Sequence, residues 1–472
     1  MSRNILLVEP NYITKFPPLG LMKISAYHKK LGDNVCFMKG FNQDILYTFW
    51  DRIYIATLFT YHWKTTIETI KWYKWLVKDD VSRIVVGGIL ATLMGEELWK
   101  ETGIIPHRGL IKEAKDIRDD NDLIIEDMIP DYDLFNESPQ KYALIDDSYF
   151  GYSTRGCVRS CAFCGVHKLE PDFVDYKDIK PYVNSVEQLY GAKQNLVLFD
   201  NNILASDKLN IIINDIRELG FEKGLKFKNK QRQVDFNQGV DARFITESKF
   251  KLLSVIAVNP LRIAFDDIKF EKTYVKSVQL AAKYKMHSLS NYILYNYKDT
   301  PEDFWQRLNI NIQLNKELNL QIYSFPMKYI PLNAKDRTYI GKNWNWQFIR
   351  GVQRILNVMK GAVMYKEDFF YRAFGESKEE FMAILHMPEH ILMNRGRESK
   401  HEEEEWFSKF NALTKNEKTE LLEILCKNRL RKDLINASAR ANNSKIASIL
   451  SYYIPEESKF PLIDNTNSEA EA

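Results

Sequence analysis

The chain has 472 residues, 45% of them hydrophobic and 27% charged, with a formal net charge of +3, which predicts an ordinary globular protein of two or three domains with a full core. Five cysteines are too few for a disulfide framework, and three of them crowd into eight positions, which suits thiolate ligands in a reducing compartment. No apolar run approaches the roughly 20 residues of a bilayer-spanning helix, and Asn4, Glu9 and Asn11 interrupt the opening apolar segment. A secretory leader and a membrane role are therefore not expected, and the expected compartment is the cytoplasm.

Residues 1–108 alternate strand and helix signals: Ile5–Val8, a helical spacing over Leu19–Leu31, Val35–Met38, Ile53–Leu58, a helix over Thr66–Val77, and Ile84–Val86 before Gly87-Gly88. Short apolar strands alternating with helices predict a Rossmann-like α/β domain whose parallel sheet is covered on both faces. Residues 109–144 read as a connector, acidic and without clear period from Lys112 to Tyr132. The alternation restarts over residues 145–332, with strands at Tyr149–Thr154, Leu196–Phe199, Val234–Asn237, Leu261–Phe265, Ser290–Leu294 and Ile322–Phe325. Helices fall at Leu209–Leu219, Lys249–Ile256, Tyr274–Tyr284 and Phe304–Leu318, the last preceded by Thr300-Pro301-Glu302-Asp303, which carries a capping residue, a first-turn proline and acids for the helix dipole. Six βα units predict an open partial (β/α)6 barrel. Residues 333–454 predict a helical region, with helices over Trp346–Met359, Lys366–Phe374, Lys378–Leu392, Glu402–Leu413 and Glu417–Leu425. Residues 455–472 form a polar tail expected to stay disordered.

The strongest chemical signal is Cys157-x3-Cys161-x2-Cys164, directly after a predicted strand and flanked by Gly156 and Gly165. Three thiolates are one short of a closed tetrahedral zinc site, whereas a four-iron four-sulfur cluster held at three corners keeps one iron open for another ligand. The alternatives are zinc completed by His167, or inert cysteines. Cys36 and Cys426 stand alone and read as small buried apolar residues.

With Phe163 just before the last cysteine, this loop resembles that of the radical S-adenosylmethionine (SAM) superfamily, and the resemblance spans residues 145–332. It implies a [4Fe-4S] cluster on Cys157, Cys161 and Cys164, with SAM on the open iron. Cleavage of SAM would give methionine and a 5′-deoxyadenosyl radical that takes hydrogen from a substrate the sequence does not name. It also implies an electron donor such as a flavodoxin or ferredoxin, and it sets Phe163 near the adenine. Asn201 and Asn202, at the end of the second barrel strand, match the position of the family's motif for the SAM amino group, although Gly-Gly-Glu is usual there; an ordinary turn is the alternative.

Asn237 to Arg243 form a dense polar cluster, from which Gln238, Asp241 and Arg243 are expected to face SAM or substrate, unless Asp241 and Arg243 make a structural ion pair. Asp266 is a candidate for the ribose hydroxyls, with a helix cap as the alternative. Tyr292, Tyr295 and Tyr297 read as wall and core. No residue is singled out as catalytic.

The order of parts, with Pro17-Pro18-Leu19-Gly20 and Gly87-Gly88 in the first domain, resembles the radical SAM subclass with an N-terminal cobalamin-binding domain. None of the eight histidines has Asp two residues before it, so the signature that puts histidine on cobalt is missing. Either the domain is a degenerate scaffold or it holds cobalamin without a histidine ligand. Methylthiotransferases are disfavoured, because only Cys36 precedes Cys157. The expected function is therefore reductive SAM cleavage for hydrogen abstraction; the rivals are a cobalamin-dependent radical SAM methyltransferase and a non-catalytic iron-sulfur protein. Lys342, Trp344, Trp346, Arg350, Arg354, Lys427, Arg429, Arg431 and Lys432 could follow a nucleic acid backbone, but a solvated helix face is the favoured reading.

Overall fold

A computed structural model describes residues 2–395 and 400–454; the expected tail over 455–472 lies outside them. The chain divides into two compact units, one of Met1–Leu261 with Ile330–Tyr339 and one of Arg262–Tyr329 with Ile340–Ala472. Among the described residues no helix is long and apolar enough to cross a membrane.

The first unit opens with a four-stranded parallel sheet of β1 (Asn4–Glu9), β2 (Asn34–Lys39), β3 (Arg52–Thr57) and β4 (Ile84–Gly88), in the order β2-β1-β3-β4. Ile5, Leu6, Leu7 and Val8 are all fully buried, as an unbroken apolar run requires when helices cover both faces of a parallel sheet. The order of strands reverses between β1 and β3, and such a switch point opens a crevice at the carboxyl ends of the strands. Gly88 ends β4 with φ +110, and a Cβ there would lie 2.3 Å from the Thr57 carbonyl oxygen. Gly87-Gly88 thus includes a position that close backbone approach reserves for glycine.

The acidic connector supplies partners for cations of the first unit. Asp119 pairs with Arg3 at 3.0 Å, Glu126 with Lys23 at 3.2 Å and Asp131 with Lys29 at 2.7 Å. Its lack of period follows, since each acid is placed by a distant cation and not by its own helix or strand.

The six expected barrel strands form two three-stranded sheets. β5 (Ser148–Gly151), β6 (Asn195–Leu198) and β9 (Gln233–Phe236) pair in parallel in the first unit. A short hairpin not expected from the sequence, β7 (Lys226–Phe227) with β8 (Lys230–Gln231), precedes β9. β10 (Leu261–Arg262), β11 (Ser288–Tyr295) and β12 (Gln321–Lys328) form the other sheet. β10 is shorter than the expected Leu261–Phe265. The helix Lys180–Tyr190 was not expected either; it buries Val183 and Val186.

In the second unit the helix Pro301–Leu318 begins as expected, with Thr300 and Asp303 closing a reciprocal capping box and Pro301 in the first turn. The single helix expected over Lys378–Leu392 is two, Lys378–His386 and Glu389–Asn394. Pro388 explains the break: it lacks an N–H to donate and drives Met387 out of the helical region, to ψ 150. Two further helices, Arg431–Arg440 and Ser444–Leu450, follow. Several of the basic and aromatic residues considered for nucleic acid are engaged within this unit. Trp344 is buried, Arg350 and Arg354 both pair with Glu389, and Arg429 lies 5.5 Å over the Trp346 ring.

His386 sits inside this helical core, its Nδ1 2.7 Å from the Met382 carbonyl and its ring against Phe348 and Phe410. Burial, with Lys418 nearby, pushes its pKa down from 6.5 to about 4. Below pH 6.5 the unfolded chain therefore binds the proton first, so this site's contribution is complete above pH 6.5 and is lost as the pH falls through about 4. The loss should reach on the order of 3 kcal/mol. Urea unfolding of His386→Phe beside the unaltered chain at pH 7, 5 and 4 should show the difference shrinking with acidity; a constant difference would remove His386 as its source.

Candidate cofactor site

The cysteine loop leaves the carboxyl end of β5 and is held there by the end of β6. Asp200, fully buried, accepts hydrogen bonds from Ser153 N at 3.0 Å, Ser153 Oγ at 2.8 Å and Thr154 Oγ1 at 2.7 Å, and from Thr154 N. Burial pushes the Asp200 carboxyl up, while these donors pull it down. The loop is then closed at its base: Arg155 and Val174 form an antiparallel bridge, with N to O distances of 3.1 and 2.9 Å.

Inside that bridge Glu170 gathers three groups. It accepts from Gly156 N at 2.7 Å and Asn201 Nδ2 at 3.2 Å, and pairs with the Arg155 guanidinium at 3.1 Å. Arg155 in turn lies 3.8 Å over the Tyr152 ring. Gly156 has φ +70, and a Cβ there would stand 2.3 Å from the Asp172 carbonyl oxygen, so only glycine fits immediately before Cys157.

Cys157, Cys161 and Cys164 form no disulfide and are half-buried, with Cys164 N bonded to the Cys161 carbonyl at 2.9 Å. Phe163 is half-buried on the same loop. Among the described residues no three His, Cys, Asp or Glu side chains close on a single metal ion. The zinc alternative needs four ligands about 2.0–2.3 Å from one point, and His167 does not complete such a set. The donor set suits a cluster, which spreads its thiolates over separate irons.

Asn202 is 2% exposed. Its Nδ2 donates to Cys157 Sγ at 3.5 Å, while its Oδ1 is buried without a partner. At the end of β9, Asp241 binds Arg243 through two bonds of 2.7 and 2.8 Å and Arg159, from the cysteine loop, at 3.0 Å. Burial raises the Asp241 carboxyl, but the two guanidiniums hold it below the usual carboxylate range. The ion pair considered from the sequence is therefore present, and it reaches the loop. Gln238 is exposed, donating to Asn237 Oδ1 at 3.2 Å. Asp266 belongs to the second unit, where its main-chain carbonyl accepts from Arg307.

A cavity of about 220 Å3 lies in the first unit at the switch point of the sheet, lined mainly by apolar groups around Gly20, Thr57, Gly87 and Gly88, with Lys23, Glu126 and Arg155 at its polar side. No histidine is among the described residues of its lining.

No family model matches the chain, and no curated protein matches it in sequence. Its structure is similar to TsrM from Kitasatospora setae, a radical S-adenosylmethionine methyltransferase solved with cobalamin and a [4Fe-4S] cluster bound. The TM-score is 0.51 at 13% identity, over 71% of this chain and 77% of that one. The two chains share a fold. The same methyltransferase with tryptophan and aza-SAM bound gives a TM-score of 0.49 at 12% identity over 66% and 72%. SuiB from Streptococcus suis, bound to its precursor peptide SuiA, gives 0.31 at 12% over 45% of each chain. Both likenesses are too slight to place a residue or a ligand.

Within this fold, sequence reasoning missed the working parts of the loop's support. Asp200 was visible only as part of a polar strand end, and nothing in the local pattern around Glu170 or Arg159 marks either as a partner of the cysteine loop or of β9.

Proposed function

We propose that the chain is a radical SAM enzyme, with Cys157, Cys161 and Cys164 holding a [4Fe-4S] cluster. When bound, that cluster would supply one electron for cleavage of SAM to methionine and a 5′-deoxyadenosyl radical able to abstract hydrogen from a substrate. The observation that carries the reading is Asn202, whose amide nitrogen is taken by the Cys157 sulfur while its buried oxygen has no partner. A buried acceptor left open costs about 1–3 kcal/mol, and beside the first cysteine it suits a donor such as the SAM amino group. Asp200 and Glu170 keep the loop in one shape. Phe163 is assigned to the adenine, Asn201 to the support of Glu170, and Gln238, Asp241 and Arg243 to the SAM-facing end of β9. The one-electron donor would be a reduced flavodoxin or ferredoxin.

The cavity beside Gly87 and Gly88 does not fit cobalamin. Its volume of about 220 Å3 falls below the about 300–1,000 Å3 of drug-sized ligand sites, and a corrinoid is larger than those ligands. Hydrogen abstraction is accordingly preferred to corrinoid-dependent methyl transfer.

The test is anaerobic reconstitution with iron and sulfide, then dithionite and SAM, with 5′-deoxyadenosine and methionine measured. Both products are expected without added corrinoid. A cluster-loaded chain that cleaves no SAM would favour a binding protein, and stoichiometric corrinoid on protein made with cobalamin available would favour methyl transfer.

A further inference from the structure

We infer that Asn202 and Arg243 are positioning residues that raise the reduction potential of the cluster, Asn202 by donating a hydrogen bond to one of its three thiolates and Arg243 by adding positive charge beside the cysteine loop. The inference rests on the cluster assignment proposed above and adds what sets the ease of its reduction. Asn202 Nδ2 is 3.5 Å from Cys157 Sγ. A thiolate only accepts, so the amide can face it only through its nitrogen, and the 2% exposure of Asn202 keeps water from competing for that sulfur contact. Arg243 stands on the turn Ala242–Phe244 that follows β9 and is joined through Asp241 to Arg159 of the cysteine loop. Its guanidinium is oriented by two bonds to Asp241, which also takes Arg159. Two cations and one carboxylate thus stand beside the cysteine loop, a net positive charge.

An added electron spreads negative charge onto the cluster sulfurs, so N–H donors and nearby cations stabilise the reduced form more than the oxidised one. The amide donor and the cation follow different strands, β6 and β9. Such an arrangement lets the chain adjust the potential without changing a ligand.

The test is an EPR-monitored redox titration of the reconstituted full chain and of Asn202→Leu, Asn202→Asp and Arg243→Gln. Leu removes the donor at similar volume, Asp replaces it with an acceptor, and Gln removes a charge at an exposed position. Each midpoint should fall, with the Asp variant lowest. The Leu and Gln variants should each change the ratio of reduced to oxidised cluster at a fixed potential by about tenfold, equivalent to 59 mV for one electron. If Asn202→Leu fails to assemble a cluster, the Arg243→Gln titration decides. Midpoints that stay in place or rise, in protein with its full iron, overturn this inference alone. A wild-type chain that takes up no cluster on the three cysteines overturns the functional proposal and this inference with it.

Discussion

Alanine at Cys157, Cys161 or Cys164 is expected to abolish cluster assembly, with bound iron falling nearly to background and the broad visible absorption lost. Each substitution removes one of only three thiolates, and two cannot anchor a cubane. Cys36→Ala and Cys426→Ala should keep the full signal. The Cys36 thiol lies against its neighbour's carbonyl at 3.8 Å, and burial pushes its pKa up, away from thiolate. Cys426 lies 3.7 Å from Asn345 Oδ1, in the second unit. Iron and sulfide analysis of the five variants checks this, and a triad variant with full iron and normal SAM cleavage would mean that other ligands hold the cluster.

The largest stability effect is expected from Arg307→Met. Arg307 is fully buried on the helix Pro301–Leu318, and its guanidinium donates to the carbonyls of Phe265 at 3.1 Å, Asp266 at 3.2 Å and Leu294 at 2.8 Å. It also pairs with Asp299 at 2.8 Å. One side chain therefore joins the segment after β10 to the end of β11. Met fills similar volume but leaves three carbonyls without this donor and a carboxylate, 8% exposed, without its cation. Breaking a buried pair from one side costs about 3–5 kcal/mol. Adding Asp299→Asn should restore part of that loss, because the stranded charge goes with it. Urea unfolding of both variants is the measurement. A loss under about 1 kcal/mol would show that water replaces the guanidinium at little cost.

Much of this protein was legible in the sequence because the signals were local. The fully apolar Ile5–Val8 required a strand covered on both faces, and Thr300 to Asp303 marked a helix start, since each pattern acts within one turn or one strand. The Cys157-x3-Cys161-x2-Cys164 spacing is a signal of the same local kind, because three sulfurs on one short loop can be proposed as a ligand set without any other part of the chain. The helix drawn through Pro388 failed for the opposite reason, a local signal outweighed by a longer apolar period.

Only the tertiary structure decided what surrounds those cysteines. Asp200 grips Ser153 from 47 residues away, Asn202 reaches Cys157 across 45, and Asp241 takes Arg159 across 82. No periodicity encodes such pairs. They exist because β6 lies between β5 and β9 in a parallel sheet, which brings the carboxyl ends of its strands to one edge, where buried polar groups must find partners from neighbouring strands. The sequence by itself thus determined the loop that can hold a cluster and the alternation that builds the sheets. The pairing of strands determined which distant side chains shape that loop and donate to Cys157.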